Sequence, residues 1–523
     1  MGYMETETKI IAKLKAVPAA YKKSFWLAFA LINLAFLFHT INFMFGDHDW
    51  NYVRTANYWS EGTFEGRPLH FVLQSIFFGG EVLPVLNNLF SFAAMTLSGI
   101  LLAKYWQIPF STLNYTLFTV FIAILPYTMV WLFYAKDTLI NLSLPLICVS
   151  GLLVADYAVK TSKPLYHLIA IMLFYFAYAS YAAVINLLGV CFIGNIILNY
   201  GYNKENVIAL SKEKIIPAID IIIALVLFKL TLVMLSIDSG YNTQTITLEY
   251  LPEKLQETIT VMFTQFITPL PFMEYKFKLM LLVLSVLGFI LLLLKGGVGR
   301  IVPLIVLVLG VLFSSKIAFF LADERGQILA EMENFAFVPR LDFYGLVYLY
   351  ALGLACILKT QQVKIRKIGI GIAIIIAAMS LVRDMYAQKV WKFGFDAEMK
   401  AHERIVTRLE QRADFDAARH YRILQIGSLS LRKNFYLQQP YEEISLDLLS
   451  TSFTPQFMSR IVYNFYYPQE IFYDNAIVEQ LSAQGKNWLQ TKARPFPHKD
   501  SIYIDGDIII IVLNKEGLNK ALR

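Results

Sequence analysis

Charge is what this sequence has least of. Only 16% of its 523 residues are Asp, Glu, Lys or Arg, against about 25% in soluble domains. That scarcity argues against a soluble fold with a large core. Cysteine is almost missing as well. Cys148, Cys191 and Cys356 all lie in apolar segments, so neither a disulfide framework nor metal-ligand spacing exists. There is no internal repeat, low-complexity tract or hinge-like linker. "KGGVGR" at 295–300 lacks the Walker spacing of a phosphate loop. The N-terminus does not read as a cleaved leader. Residues 1–23 hold five lysines, but the apolar run after them is about 20 residues long and no small-residue cleavage site follows.

What the chain has in quantity is hydrocarbon. It is 57% hydrophobic and 15% aromatic, with a mean hydropathy of +0.53. This is the composition of a polytopic membrane protein in contact with a lipid bilayer. Eleven spans are expected, at about 24–45, 84–103, 112–133, 138–156, 166–179, 182–199, 215–236, 277–294, 301–319, 341–358 and 368–383. The segment 166–200 is read as two short helices turning near "YASY", Tyr178 to Tyr181. With two helices, Lys and Arg concentrate on one set of loops: the N-terminus, Lys104, Lys160, Lys163 and the ends near 204–214, 295–300 and 359–367. With one helix, every later loop would change sides. The positive-inside bias therefore puts the N-terminus in the cytoplasm. The net charge of +7 follows from this topology, and no nucleic-acid partner is expected.

The fold class expected is mainly α: a transmembrane bundle over 1–383, with a first outer loop at 46–83, and a small α/β domain outside over 384–523. "HYRILQIGSL" and "SIYIDGDIIIIVLN" read as strands in that last segment. The first outer loop begins "FGDHDWNYVRTANYWSEGTFEGRPLHF". Asp49–Ser60 and Pro68–Phe78 are expected to be interfacial helices. In the second, Leu69, Val72, Leu73, Ile76 and Phe77 make one stripe, with His70 and Gln74 off it.

These helices would hold Asp47 and Asp49 at headgroup height. A carboxylate there can take the proton of a sugar hydroxyl that attacks an anomeric carbon. Basic groups on the same face can stabilise a departing phosphate. The candidates are Arg67, Lys136, Lys316, Arg325 and Arg340, with Trp50 and His70 beside the substrate. Lys316 stands out because it lies inside an apolar span, where an ionisable group needs a partner or a task. Plainer readings exist for several of them. Lys136-Asp137 can be a self-neutralising turn, Asp323-Glu324-Arg325 a solvated loop run, and Arg340 an interface anchor.

The paired acids Asp47 and Asp49 with Trp50, followed by Gly66-Arg67-Pro68, short spans and an outer C-terminal domain, resemble the membrane glycosyltransferases of the GT-C class. More narrowly, the chain resembles the bacterial O-antigen glucosyltransferases that modify lipopolysaccharide. The resemblance implies a polyprenyl-phosphate-linked sugar donor carrying a hexose such as glucose, and a cell-surface glycan acceptor. It also implies reaction on the periplasmic side of the inner membrane, with a loop Asp as base and inversion at the anomeric carbon. Asp-His-Asp stands where adjacent acids are more usual, so which Asp is the base stays open. No metal or other cofactor is expected; a divalent cation near Asp47 and Asp49 is not favoured. A lipid-linked glycan transporter, or a glycan polymerase or ligase, is the alternative.

Overall fold

The computed structural model describes residues 19–42, 44, 66–132, 134–203, 206–237, 251–266, 273, 275–321, 337–419, 421–427, 471–472 and 476–522. It divides into two compact units. One comprises the described residues up to Ile41 and from Gly66 to Met385; the other runs from Tyr386, with Asn42 and Met44 assigned to it.

Among its described residues the first unit is built of helices. In chain order it holds α1 (Ala19–Ala35), α2 (Leu37–Ile41), α3 (Val72–Phe78), α4 (Pro84–Tyr105), α5 (Thr112–Ala123), α6 (Met129–Leu132), α7 (Ala135–Thr161), α8 (Pro164–Ser180), α9 (Val184–Tyr202), α10 (Val207–Met234), α11 (Leu251–Thr264), α12 (Tyr275–Gly296), α13 (Ile301–Ser314), α14 (Ile317–Leu321), α15 (Phe337–Tyr344) and α16 (Leu346–Lys359). The last helix, α17 (Val363–Glu410), runs past Met385 into the second unit. Its starts and stops are readable locally. Pro84 and Pro164 stand in the first turns of α4 and α8, where their missing N–H costs nothing. Ser111 caps α5, its side chain accepting from Asn114 N at 3.0 Å.

The described part of each of the eleven expected segments lies mostly on helix. Seven helices among the described residues are long and apolar enough to cross a membrane, or eight if a bent pair counts as one span. The shortfall has physical causes. α8 stops at 17 residues and α13 at 14, and α1 is described only from Ala19. The expected span 112–133 is bent by 47° between α5 and α6. Pro126 lacks an N–H, so the helix cannot continue through it. Thr128 then covers the freed carbonyls, its Oγ donating to Ala123 O at 2.8 Å and its N–H to Leu125 O at 2.9 Å. Irregular backbone inside an apolar bundle survives only when its polar groups are satisfied in this way. The 166–200 segment does break, between Ser180 and Val184.

The helix ends gather into two sets. One brings together Gly66–Phe71, Tyr134–Asp137, the Ser180–Tyr181 turn and α15. At the other, Lys359 Nζ donates to Trp106 O at 3.2 Å and Gln107 O at 3.1 Å, and Asn203 donates to Gln107 at 2.9 Å. α4 alone, at 22 residues, keeps these ends roughly 30 Å apart.

In the second unit β1 (Arg422–Ile426), β2 (Ile471–Phe472), β3 (Ile502–Asp505) and β4 (Ile508–Val512) form one sheet in the order β2-β1-β4-β3. β1 is parallel to both neighbours, and β3 and β4 form an antiparallel hairpin. Ile405, Val406 and Leu409 cover one face against Ile423, Ile509 and Ile511. Trp488 and Leu489 cover the other against Leu424, Ile510 and Val512. Burial on both faces explains why β4 reads as an unbroken run of isoleucine and not as an alternation.

α12 and α16 touch backbone to backbone. A Cβ added at Gly288 would overlap the Gly353 carbonyl, whereas one at Gly310 meets nothing within 4 Å. Small residues are what permit such approach in an apolar bundle. Gly288→Val should lower the unfolding midpoint and the monodisperse yield in detergent, while Gly310→Ala leaves both unchanged. Equal behaviour of the two variants in size-exclusion and thermal-unfolding assays would refute this packing.

Candidate functional site

Gly66 opens the site with φ +72°, a left-handed conformation that glycine adopts without strain. The chain then lies against the end of α8. Leu69 N donates to Ala179 O at 3.0 Å, and the Ser180 hydroxyl lies 3.4 Å from Leu69 O. His70 completes the junction. Its Nδ1 is 2.7 Å from Ser180 O and its Nε2 is 2.9 Å from Asp137 Oδ1, at the start of α7. His70 is 1% exposed.

These two distances fix the proton inventory. A carbonyl oxygen only accepts, so Nδ1 carries a hydrogen. The Nε2–carboxyl contact also needs a proton between its atoms. The pair is therefore either imidazolium and carboxylate, or neutral imidazole and carboxylic acid. In both forms it holds one shared proton and no net charge. Lys136 and Arg67 stand within electrostatic reach of the same carboxyl group.

Around this pair the bundle end is aromatic. Trp131 packs edge-on against Tyr181 at 5.3 Å between centroids, and Tyr344 lies 5.8 Å from Trp131 and 5.6 Å from Tyr181. Tyr344 donates its hydroxyl hydrogen to Asn141 O at 2.9 Å. The cations sit on ring faces. Arg67 Cζ is 4.8 Å above Tyr181, Arg340 Cζ 4.9 Å above Tyr134, and Lys136 Nζ 5.9 Å from the Phe71 centroid. Tyr134 N in turn donates to Trp131 O at 3.2 Å. Stacking of this kind orients a guanidinium.

Of the residues singled out in the sequence, Arg67, His70, Lys136 and Arg340 meet here. His70 serves as a joint, since both ring nitrogens are engaged within the protein. Lys316 belongs to a neighbouring cluster, where its ammonium pairs with Asp342. Asp47, Asp49, Trp50 and Arg325 lie outside the described residues. The sequence reading missed Asp137 as a partner of His70 because it sits beside Lys136 and looked self-neutralised. It also missed Asp342 and Lys278, each two or three residues inside an apolar run. The signal was available, since an ionisable residue within such a run needs a partner. In α3 the apolar stripe faces outward, with Ile76 and Phe77 exposed, and Gln74 faces inward to Asn87 at 3.3 Å. No group of three or more His, Cys, Asp or Glu among the described residues is arranged to hold a metal ion.

No family model matches the chain, and no curated protein and no solved structure matches it either. The fold and this site define a helical protein of membrane character with a cationic, aromatic cluster at one bundle end.

Truncating one member of a buried, hydrogen-bonded pair costs about 3–5 kcal/mol, so His70→Ala should lower the unfolding midpoint strongly. Asp137→Asn should cost less, on the order of 1 kcal/mol, because an amide N–H can still donate to Nε2. A double-mutant cycle by thermal unfolding in detergent checks the pair. Additive effects of His70→Ala and Asp137→Ala would show that the two do not act together.

Proposed function

We propose that this protein is a membrane glycosyltransferase. It moves a single hexose, such as glucose, from a polyprenyl-phosphate carrier to a cell-surface glycan such as O-antigen, on the periplasmic side of a bacterial inner membrane. The observation that carries the reading is the convergence of Arg67, Lys136 and Arg340 on one aromatic bundle end, next in the chain to the loop that bears Asp47 and Asp49.

In this reading the phosphate of the donor lies against the cations. The acceptor hydroxyl attacks the anomeric carbon from the side opposite the phosphate. A carboxylate of the loop, Asp47 or Asp49, takes the hydroxyl proton as the new C–O bond forms. The bond from the anomeric carbon to the phosphate oxygen breaks, and its electron pair leaves on the lipid phosphate. Arg67 and Arg340 can each hold two phosphate oxygens, where Lys136 acts as a point charge. Stabilising charge that develops on a leaving group is commonly the largest catalytic contribution.

One observation favours a transporter as second reading: Lys278, Lys316, Asp342 and Asp384 are all buried inside the first unit, and a polar interior suits a path for a lipid-linked glycan. Purified protein in proteoliposomes separates the two. A transferase consumes polyprenyl-phosphate hexose in the presence of acceptor, and a transporter relocates it unchanged.

Replacing Asp47 and Asp49 singly by Asn tests the loop. One variant should lose about 10²–10⁴-fold in transfer rate, as for a lost general base. The other should lose on the order of 10-fold, as for a charge-assisted hydrogen bond. Full transfer by both variants would remove the catalytic role from this loop. A reporter fused after Arg383 should register outside the cytoplasm; a cytoplasmic signal would reverse the face to which the site belongs.

A further inference from the structure

α11 turns a charged side chain inward and its large apolar ones outward. Leu251, Leu255, Ile259 and Phe263 recur at every fourth residue and form one row along the helix. All four are between 39% and 56% exposed. Lys254, Thr258, Val261 and Met262 are buried. Lys254 Nζ lies 4.6 Å from the centroid of the Phe319 ring on α14 and 3.6 Å from Glu257. Thr258 donates its hydroxyl hydrogen to Lys254 O at 2.8 Å. Glu253, Gln256 and Thr260 occupy the remaining side and are exposed. With 3.6 residues per turn, α11 therefore has three sectors: one against protein, one apolar and open, one polar and open.

Both ends of α11 are fastened at the same end of the bundle. Near its start, Lys254 rests on Phe319, in the short helix that follows α13. Just past its last residue, Gln265 O accepts from Lys278 Nζ at 2.9 Å, in the first turn of α12. These two anchors are separated by roughly 16 Å of helix. The far end of α12 belongs to the other set of helix ends, where Lys295 donates to Gln361 at 2.8 Å. α11 thus lies across the bundle end and not along the helices. This is the end that holds the candidate site, because Lys316, at the head of α14, pairs with Asp342 on α15. Leading away from α11, the flanks of α12 and α13 expose Leu279, Val283, Ile290, Val302, Val306 and Leu309, the kind of surface that hydrocarbon covers.

We propose that α11 is an interfacial helix lying in the plane of the bilayer, with Leu251, Leu255, Ile259 and Phe263 sunk into the boundary between headgroups and acyl chains. Its polar sector faces the headgroups and water. A short helix surrounded by protein, hydrocarbon and water at once has its place at that boundary. At 14 residues it is too short to span. Against water the row would be a contiguous apolar patch that opposes the hydrophobic effect. Against lipid it continues the exposed flanks of α12 and α13. The occupant of this surface is therefore the lipid of the leaflet on the side of the candidate site. Together with the exposed Ile76 and Phe77 of α3, α11 fixes the level at which the bilayer meets that site. The proposal does not rest on the transferase reading.

The test uses the full chain reconstituted in vesicles of phosphatidylethanolamine and phosphatidylglycerol. A nitroxide is attached at Leu255→Cys, Gln256→Cys, Ile259→Cys or Thr260→Cys, one variant at a time. The native cysteines are buried, and the unaltered chain treated in the same way is the blank. Collision with oxygen, which concentrates in lipid, and with a water-soluble nickel chelate is then read by electron paramagnetic resonance. The oxygen-to-nickel ratio at 255 and 259 should be several-fold higher than at 256 and 260, and should approach that of a label at Val283→Cys on the flank of α12. Nickel access at 255 and 259 equal to that at 256 and 260 would place the row in water and overturn the proposal. Low access to both reagents at 255 and 259 would show the row covered by protein, whether another segment of this chain or a second copy, and would overturn it too. A measurement without nitroxide fixes the depth. The emission added by Ile259→Trp should be quenched more by lipids brominated near the glycerol than by lipids brominated near the chain end, and no quenching by either would again refute the assignment.

Discussion

One imidazole ring holds the candidate site together. His70 is bonded at both nitrogens, to a backbone carbonyl at the end of α8 and to a carboxyl group at the start of α7. With Leu69 N on Ala179 O, it joins three chain segments that are far apart in sequence. Arg67, three residues upstream, thereby comes to lie on Tyr181, the neighbour of Ser180. The guanidinium is thus placed by the junction that the ring makes. Removing the shared proton would set a lone pair against a carboxylate, so the junction and its proton are one structural element.

The aromatic residues turn that junction into a platform. Trp131, Tyr181 and Tyr344 pack mutually, and two guanidinium groups rest on Tyr181 and Tyr134. Stacked arginines keep their planar donor edges oriented, which suits a tetrahedral oxyanion better than a mobile lysine does. The close α12–α16 contact through Gly288 and Gly353 serves the same purpose at longer range. It fixes the helix that continues from α15, on which Arg340 and Asp342 stand two residues apart.

Much of the helical layout was legible because apolar runs of spanning length carry their own signal. The break near Tyr181 was legible from charge bias, and the hairpin strands from the isoleucine run beside "DGD". Other features were hidden. The bend after Ala123 was marked by Pro126, but the surrounding residues are apolar enough to mask it. α17 runs to Glu410, far past the expected end at 383, because no proline interrupts Val363–Glu410. The partners of His70 and Lys316, at |i−j| of 67 and 26, depend on tertiary packing that no local pattern encodes. The loop acids, the most specific chemical motif in the sequence, lie outside the described residues, so their role rests on chemistry and resemblance.

The bend between α5 and α6 has a mechanical meaning. Tyr127 on the elbow lies near the buried Lys278, while Tyr134, just beyond it, carries the stacked Arg340, and Trp131 packs against Tyr181, the ring under Arg67. The elbow is a short lever with a charged cluster at each end. Tyr127 and Tyr134 belong to one short bent stretch of chain, so the two clusters are built on the same piece of backbone.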